Sequence, residues 1–268
     1  MHAAQEIATS TAVPLNARST IQERVEAGRI SWTGPLFLAA LRPLLFFSVQ
    51  ALLALAYFAF HRPDAWRQAG RWWNVYGTVV DIGCLIALRY FTRKEGIRLR
   101  DLIGPIRLRR GHDLFVGIGL FLLIFPCFIG GGILTQKLLY GSLDPAIATY
   151  VTQPHALPLW AFIYSVTLWW IISSPTEEII YQGYALPRLQ ALTGRTWMAM
   201  IVVGFWWAAQ HAVLPFVPDA KYLLFRLLAF LPGVFVFMLV YLRTRRLAPL
   251  IGAHWCMDIV GAVMTAIH

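Results

Sequence analysis

Long apolar runs alternate with short polar connections along most of this 268-residue chain. A run of about 18 apolar residues is long enough to cross a bilayer as a helix. Such runs fall at Pro35 to Phe60, Trp72 to Phe91, Leu114 to Leu139, Leu157 to roughly Leu189, Trp197 to Phe216, Tyr222 to Leu242 and Leu247 to Ile267. The pattern predicts an all-α fold, a polytopic transmembrane helix bundle of about seven (six to eight) spanning helices. The fourth run is the least regular, because Pro175 interrupts it and Pro187 lies near its end. A proline-broken fourth helix is therefore expected, and at membrane depth it is tolerated where the freed backbone faces protein or a wet cavity.

Residues 1–34 are polar and mixed in charge, without the basic start and short apolar stretch of a cleavable signal peptide. Thr20-Ile-Gln-Glu23 has the form of a capping box, and Ile21, Val25 and Ile30 fall roughly on one face. That pattern fits either a short helix at the membrane surface or a disordered tail. The expected organisation is this N-terminal segment, three transmembrane helices over 35–139, and a core over 157–268.

The connections carry the orientation signal. Thr92 to Asp113 holds Arg93, Lys94, Arg98, Arg100, Arg107, Arg109 and Arg110, whereas Tyr140 to Ala156 has no lysine or arginine. The first loop is expected in the cytoplasm and the second outside. Arg188, Arg195, Arg243, Arg245 and Arg246 continue the alternation, which leaves the N-terminus cytoplasmic. Arg62, Arg67 and Arg71 run against it, since the scheme puts them outside. With no organelle-type targeting segment to recognise, the expected location is a bacterial inner membrane.

Composition agrees: 58% of residues are hydrophobic and 13% charged, proportions that exclude an ordinary soluble domain. The net charge of +10 sits in the loops, and no basic patch is interleaved with an aromatic reading surface, so nucleic acid is not an expected partner. Cys84, Cys127 and Cys256 lie in apolar runs without paired or metal-type spacing, as packing residues would.

Against that background the buried polar groups stand out. Glu177 and Glu178 are adjacent in the fourth run, His211 ends Phe205-Trp-Trp-Ala-Ala-Gln-His, and His254 precedes Asp258 by one turn. Ionisable groups at membrane depth are costly and point to function. At about 1.5 Å per residue, Glu177 lies roughly 20 Å, His211 about 22 Å, and His254 and Asp258 roughly 10 and 16 Å along their helices, so the four can meet inside the bilayer. Neighbouring helical residues diverge by about 100°, so if Glu177 faces a cavity, Glu178 turns sideways toward Gln182. Asp81, with Arg89 two turns on, and the isolated Arg42 and Arg226 read as structural pairs or interface anchors. Ser173, Ser174 and Thr176 read as partners for backbone groups freed by Pro175, since no strand-turn-helix elbow surrounds them. Cys256 points off the face shared by His254 and Asp258.

Glu-Glu-x-x-x-Gln at 177 to 182, an aromatic-x-x-x-His from Trp207 to His211, and His-x-x-x-Asp at 254 to 258 follow one another on separate apolar helices. In this the chain resembles the CAAX-processing and bacteriocin-processing (Abi) family, the type II CAAX prenyl endopeptidase-like intramembrane proteases. The run from Tyr181 to Leu189 also looks like part of the family's first motif. The resemblance implies a hydrolase in which Glu177 and His211 activate a water, while His254 and Asp258 stabilise the oxyanion or orient the site. A carboxylate and an imidazole sharing a water form a general-base unit in any case. Family members commonly carry arginine where this chain has Gln182, which can only hydrogen-bond; Glu178 is then either protonated or paired with a cation from elsewhere. Asp258 stands where members carry asparagine or aspartate, and is expected to be protonated, to orient His254 or to bind metal.

His211, His254 and a carboxylate from Glu177 or Asp258 would make a two-His, one-acid zinc set with an open position. The compact His-Glu-x-x-His spacing is absent, and a Glu/His pair can work without metal, so both possibilities stand at this point. The expected partners are membrane lipid and a peptide or lipidated protein substrate. The alternatives are a non-catalytic scaffold or immunity-type protein on the same fold, or a proton-coupled transporter, against which the lack of internal repeats argues.

Overall fold

The computed structural model describes residues 15–104, 111–144 and 158–267, with side chains up to residue 260. Arg107, Arg109, Arg110 and most of the loop before Leu157 lie outside the described residues. The described chain is a helix bundle without a sheet, as the apolar pattern requires. Among the described residues four helices are long and apolar enough to cross a membrane: α2 (Thr33–Ala59), α4 (Trp73–Lys94), α6 (His112–Tyr140) and α11 (Ala220–Thr244). The other apolar runs are also helical. The fourth forms α7 (Leu159–Thr167), α8 (Trp169–Glu178), a wider π-helical stretch Ile179–Ala185, and α9 (Leu186–Thr193); the fifth and seventh form α10 (Thr196–Ala212) and α12 (Ala248–Ile267). Short helices α1 (Arg18–Glu26), α3 (Ala65–Gly70) and α5 (Leu99–Ile103) lie between or ahead of them.

The fourth segment is interrupted as predicted, but on either side of Pro175 rather than at it. Pro175 sits within α8, and the backbone departs from α-helix at Leu168 and again after Glu178. Inside α8, Ser174 and Thr176 donate to the carbonyls of Trp170 and Ile172, four residues back. The π-helical stretch places one extra residue in the turn that follows the two glutamates, the kind of local widening that often accompanies a functional site. Gly194, at φ 66°, closes α9 and turns the chain into α10.

Near-contact of helices is achieved with glycine. A Cβ on Gly117 would lie 3.0 Å from the Pro249 carbonyl, so α6 and α12 approach through their backbones. Large apolar side chains on α2, α4 and α6 point outward instead; Phe58 and Leu138 are 73% and 74% exposed. Charged side chains meanwhile are buried, Arg42, Asp81 and Glu178 completely. This inversion suits a hydrocarbon surround, where apolar surface is free to face out and charge must pair within.

Side-chain contacts sort the helix ends into two faces. On one, Gln50 and Trp66 donate to the Phe216 carbonyl, and Lys221 lies over the Tyr140 ring. On the other, Arg188 pairs with Glu95, Arg246 with Asp113, and Arg245 with Gln190. The grouping is that of the loop-charge alternation, and α3 with Arg67 does lie on the face opposite the basic loops. Helix α1 begins at Arg18 after Ala17, so Thr20 falls inside its first turn rather than at its cap. Its Ile21 and Arg24 are buried, and Arg24 reaches Glu95 at 3.9 Å.

Candidate functional site

The end of α8 supplies both glutamates, and each is buried. They diverge as adjacent helical residues must. The Glu177 carboxylate is divided between two sets of partners. Its Oε1 lies 2.7 Å from Arg42 Nη1 of α2, with the Ser173 hydroxyl at 3.5 Å. Its Oε2 accepts from Trp207 Nε1 at 3.1 Å and from the Gln210 carboxamide, both on α10. Trp207 and Gln210 are three residues apart and so share a face. Tyr181 stacks on Trp207 with centroids 5.5 Å apart and donates to Gln210 Oε1 at 3.1 Å.

Glu178 turns to the other side. Gln182, one turn on, donates to its Oε2, and His254 Nδ1 lies 2.9 Å from its Oε1. The cation that Gln182 cannot supply is thus replaced at Glu178 by an imidazole from α12. With Nδ1 engaged, His254 presents Nε2 to the gap between Glu177 Oε2, at 3.9 Å, and Asp258 Oδ2, at 3.7 Å. Ser174 donates to Asp258 Oδ2 at 2.6 Å. Three carboxylates therefore surround one imidazole, and both of its ring nitrogens face acid oxygens.

Of the four residues expected to meet, Glu177, His254 and Asp258 lie together, and Glu178, expected to turn toward Gln182, does so and also reaches His254. His211 does not reach Glu177 directly. Its ring stacks on Phe230 of α11 with centroids 3.8 Å apart, and its Nε2 lies 3.4 Å from Gln210 Nε2. Gln210 stands between the two, because its carboxamide takes the Glu177 oxygen that the histidine would otherwise face. Arg226, read from sequence as an anchor, donates to the His211 carbonyl at 3.0 Å and lies over Phe230.

Two residues of the site were missed by sequence reasoning. Arg42 joins Glu177 to Asp81, with Nε to Asp81 Oδ1 at 2.8 Å, and also donates to Gln210 Oε1 at 2.6 Å and Ser173 Oγ at 2.9 Å. Of the groups read from sequence as structural pairs or interface anchors, Asp81 pairs with Arg42 and not with Arg89, which is exposed on α4. Gln210 was hidden beside His211. The available signal for Arg42 was its depth in an apolar run, which an isolated arginine occupies only with a partner. Ser173 and Ser174 belong to the site as well as to their helix.

A divalent metal does not fit this donor set. Among the described residues no three His, Cys, Asp or Glu side chains group as metal ligands. The reason is visible in the contacts: both Glu177 oxygens are engaged, a guanidinium lies 2.7 Å from one of them, and His211 is packed flat on a ring. A dication would have to displace that guanidinium or bear its repulsion.

Residues 158–260 match the family model described as type II CAAX prenyl endopeptidase Rce1-like. No curated protein and no solved structure matches the chain. The matched segment holds both glutamates, both histidines and Asp258, and stops short of α2 and α4.

Proposed function

We propose that this membrane protein, whose residues 158–260 belong to the type II CAAX prenyl endopeptidase Rce1-like family, hydrolyses a peptide bond of a prenylated or other membrane-associated substrate by glutamate-activated water. The observation that carries the reading is the approach of Glu177 Oε2 to the free nitrogen of His254. A buried carboxylate there faces the free edge of His254 at 3.9 Å. A water held between Glu177 and His254 gives its proton to Glu177 as its oxygen attacks the peptide carbonyl. His254 Nε2 donates to the oxygen on which negative charge develops, and Glu178, through Nδ1, fixes the ring and sustains its charge. Asp258, held by Ser174, orients the same imidazole. Proton transfer from Glu177 to the departing amine completes the hydrolysis. In this reading His211, which the resemblance pairs with Glu177, acts across Gln210, whose Nε2 lies 3.4 Å from its own.

The mechanism calls on no metal, in keeping with the poor fit of the donor set. The reading also sets the basic loops and the N-terminus on the cytoplasmic side of a bacterial inner membrane, where Arg93, Lys94 and Arg98 follow the positive-inside pattern. The test is cleavage of a quenched-fluorescent prenylated peptide by the purified protein in lipid, with Glu177→Gln and His254→Ala as controls, each with and without chelator. Cleavage that both substitutions abolish and chelator leaves intact supports the reading. Chelator-sensitive cleavage overturns the metal-free step. Intact peptide from well-folded protein returns the chain to the scaffold alternative.

A further inference from the structure

Arg42 is completely buried in the middle of α2, outside the family-matched segment, yet it is the cation that touches Glu177. Its planar fork is used from every side. Nε goes to Asp81 of α4, Nη1 to Glu177 and Gln210, and Nη2 to Ser173, while the guanidinium lies over the Phe46 ring at 5.0 Å. Four helices thus converge on one side chain. The guanidinium holds Oε1 of Glu177 and leaves Oε2 as the oxygen turned toward His254. Anchoring one oxygen fixes the aim of the other.

Charge gives the second argument. Asp81 and Glu177 share a water-poor interior with one guanidinium between them, and without it two carboxylates would face each other unpaired. Such a site relaxes by taking up protons, and a protonated Glu177 is no base. We propose that Arg42, steadied by Asp81, is the positioning residue that keeps Glu177 an ionised and aimed carboxylate, so that the first two membrane helices complete the site carried by residues 158–260. The inference rests on the reading of Glu177 as general base.

The test uses the full chain in lipid, with Arg42→Gln, Arg42→Lys and Asp81→Asn compared by two readouts. The first is steady-state cleavage of the prenylated peptide. Arg42→Gln is expected to lower kcat about 100-fold with KM little changed, as loss of a preorganised charged donor does. Arg42→Lys restores at least a tenth of the wild-type rate, because charge returns without the fork. Asp81→Asn lowers kcat about tenfold by loosening the guanidinium.

The second readout needs no activity: labelling by dicyclohexylcarbodiimide, which reacts with protonated carboxyl groups in membranes, mapped to Glu177 by mass spectrometry. Glu177 is expected to resist labelling in the wild type and in Arg42→Lys, and to be labelled in Arg42→Gln. Wild-type kcat and unlabelled Glu177 in Arg42→Gln overturn the inference while leaving the protease reading intact, provided Glu177→Gln abolishes cleavage. Labelling that appears only when Arg42 is lost, in a protein that cleaves nothing, upholds the Arg42–Glu177 coupling and removes the protease reading. If Arg42→Gln does not fold, Asp81→Asn decides: a wild-type kcat there overturns the proposal.

Discussion

Among the described residues two arginines are completely buried, and they differ in what surrounds them. Arg188 of α9 lies near the face of the basic loops. Its Nε and Nη2 engage Glu95 at 2.6 to 3.1 Å, its Nη1 reaches the carbonyls of Gly183 and Tyr184, and it lies over the Tyr184 ring. Asn16 closes the cluster from the N-terminal segment, accepting from Arg188 and donating to the Gly183 carbonyl. One acid, one fork and backbone acceptors make a self-contained clasp between α1, α4 and α9. Arg42 holds two acids, and its other partners, Gln210 and Ser173, themselves touch Glu177. The first cluster is satisfied without any group left to react. The second aims a carboxylate oxygen at the free nitrogen of His254, 3.9 Å away, which is the difference between a joint and a site.

The comparison breaks first at Glu177. Glu177→Gln removes the base, and cleavage is expected to fall by roughly 100- to 10,000-fold, further than the stability loss from turning an amide –NH2 toward Arg42 or toward Trp207 and Gln210 accounts for; an active variant would make the Arg42 cluster a second joint. Arg188→Ala should do the reverse. Leaving Glu95 buried without its partner costs about 3–5 kcal/mol of stability, read as a lower denaturation midpoint, while the surviving folded protein retains its kcat. Replacing both Arg188 and Glu95 by apolar residues of similar volume should recover most of that loss.

Gly77→Ala sharpens the contrast. Its Cβ would lie 2.8 Å from the Trp169 ring, pushing α4 from α8 at a cost of about 1–3 kcal/mol. Asp81 and Ser173 each lie one turn beyond those two residues, so activity should fall further than the stability loss alone accounts for. Equal losses would mean that the Arg42 network tolerates displacement. The smallest effect is expected for Asn16→Ala, which removes contacts to Arg188 and Gly183 and should cost about 1 kcal/mol with cleavage unchanged within roughly twofold. A larger fall in kcat would show that the clasp reaches the site through the π-helical stretch.

Much of this architecture was legible in the sequence. The helices α2, α4, α6 and α11 begin and end within a few residues of the predicted runs, because apolar length against bilayer thickness is a strong local rule. The approach of Glu177, His254 and Asp258 was legible too, since each is costly alone at that depth, whereas His211, expected with them, is packed on Phe230. Gln182 was correctly seen to leave Glu178 short of a cation, and the structure answers with His254. The interruption of the fourth segment was predicted, but its position was not: proline marks a lost backbone donor, whereas the π-helical widening depends on what packs around it. Asp81 and Arg42 were legible as structural pairs or anchors but not as partners of one another, because sequence distance says nothing about which faces of two helices meet.

What the sequence alone determined is which segments enter the membrane and which polar side chains must be sheltered there. Both follow from the free energy of transferring each residue out of water, a property the residue carries with it. The tertiary structure decided the partners: Arg42 between Asp81 and Glu177, Gln210 between Glu177 and His211, and His254 between three acids. A hydrogen bond or ion pair depends on distances of a few ångströms between helices far apart in the chain, and those distances are set by how glycines such as Gly117 and rings such as Trp169 let the helices approach.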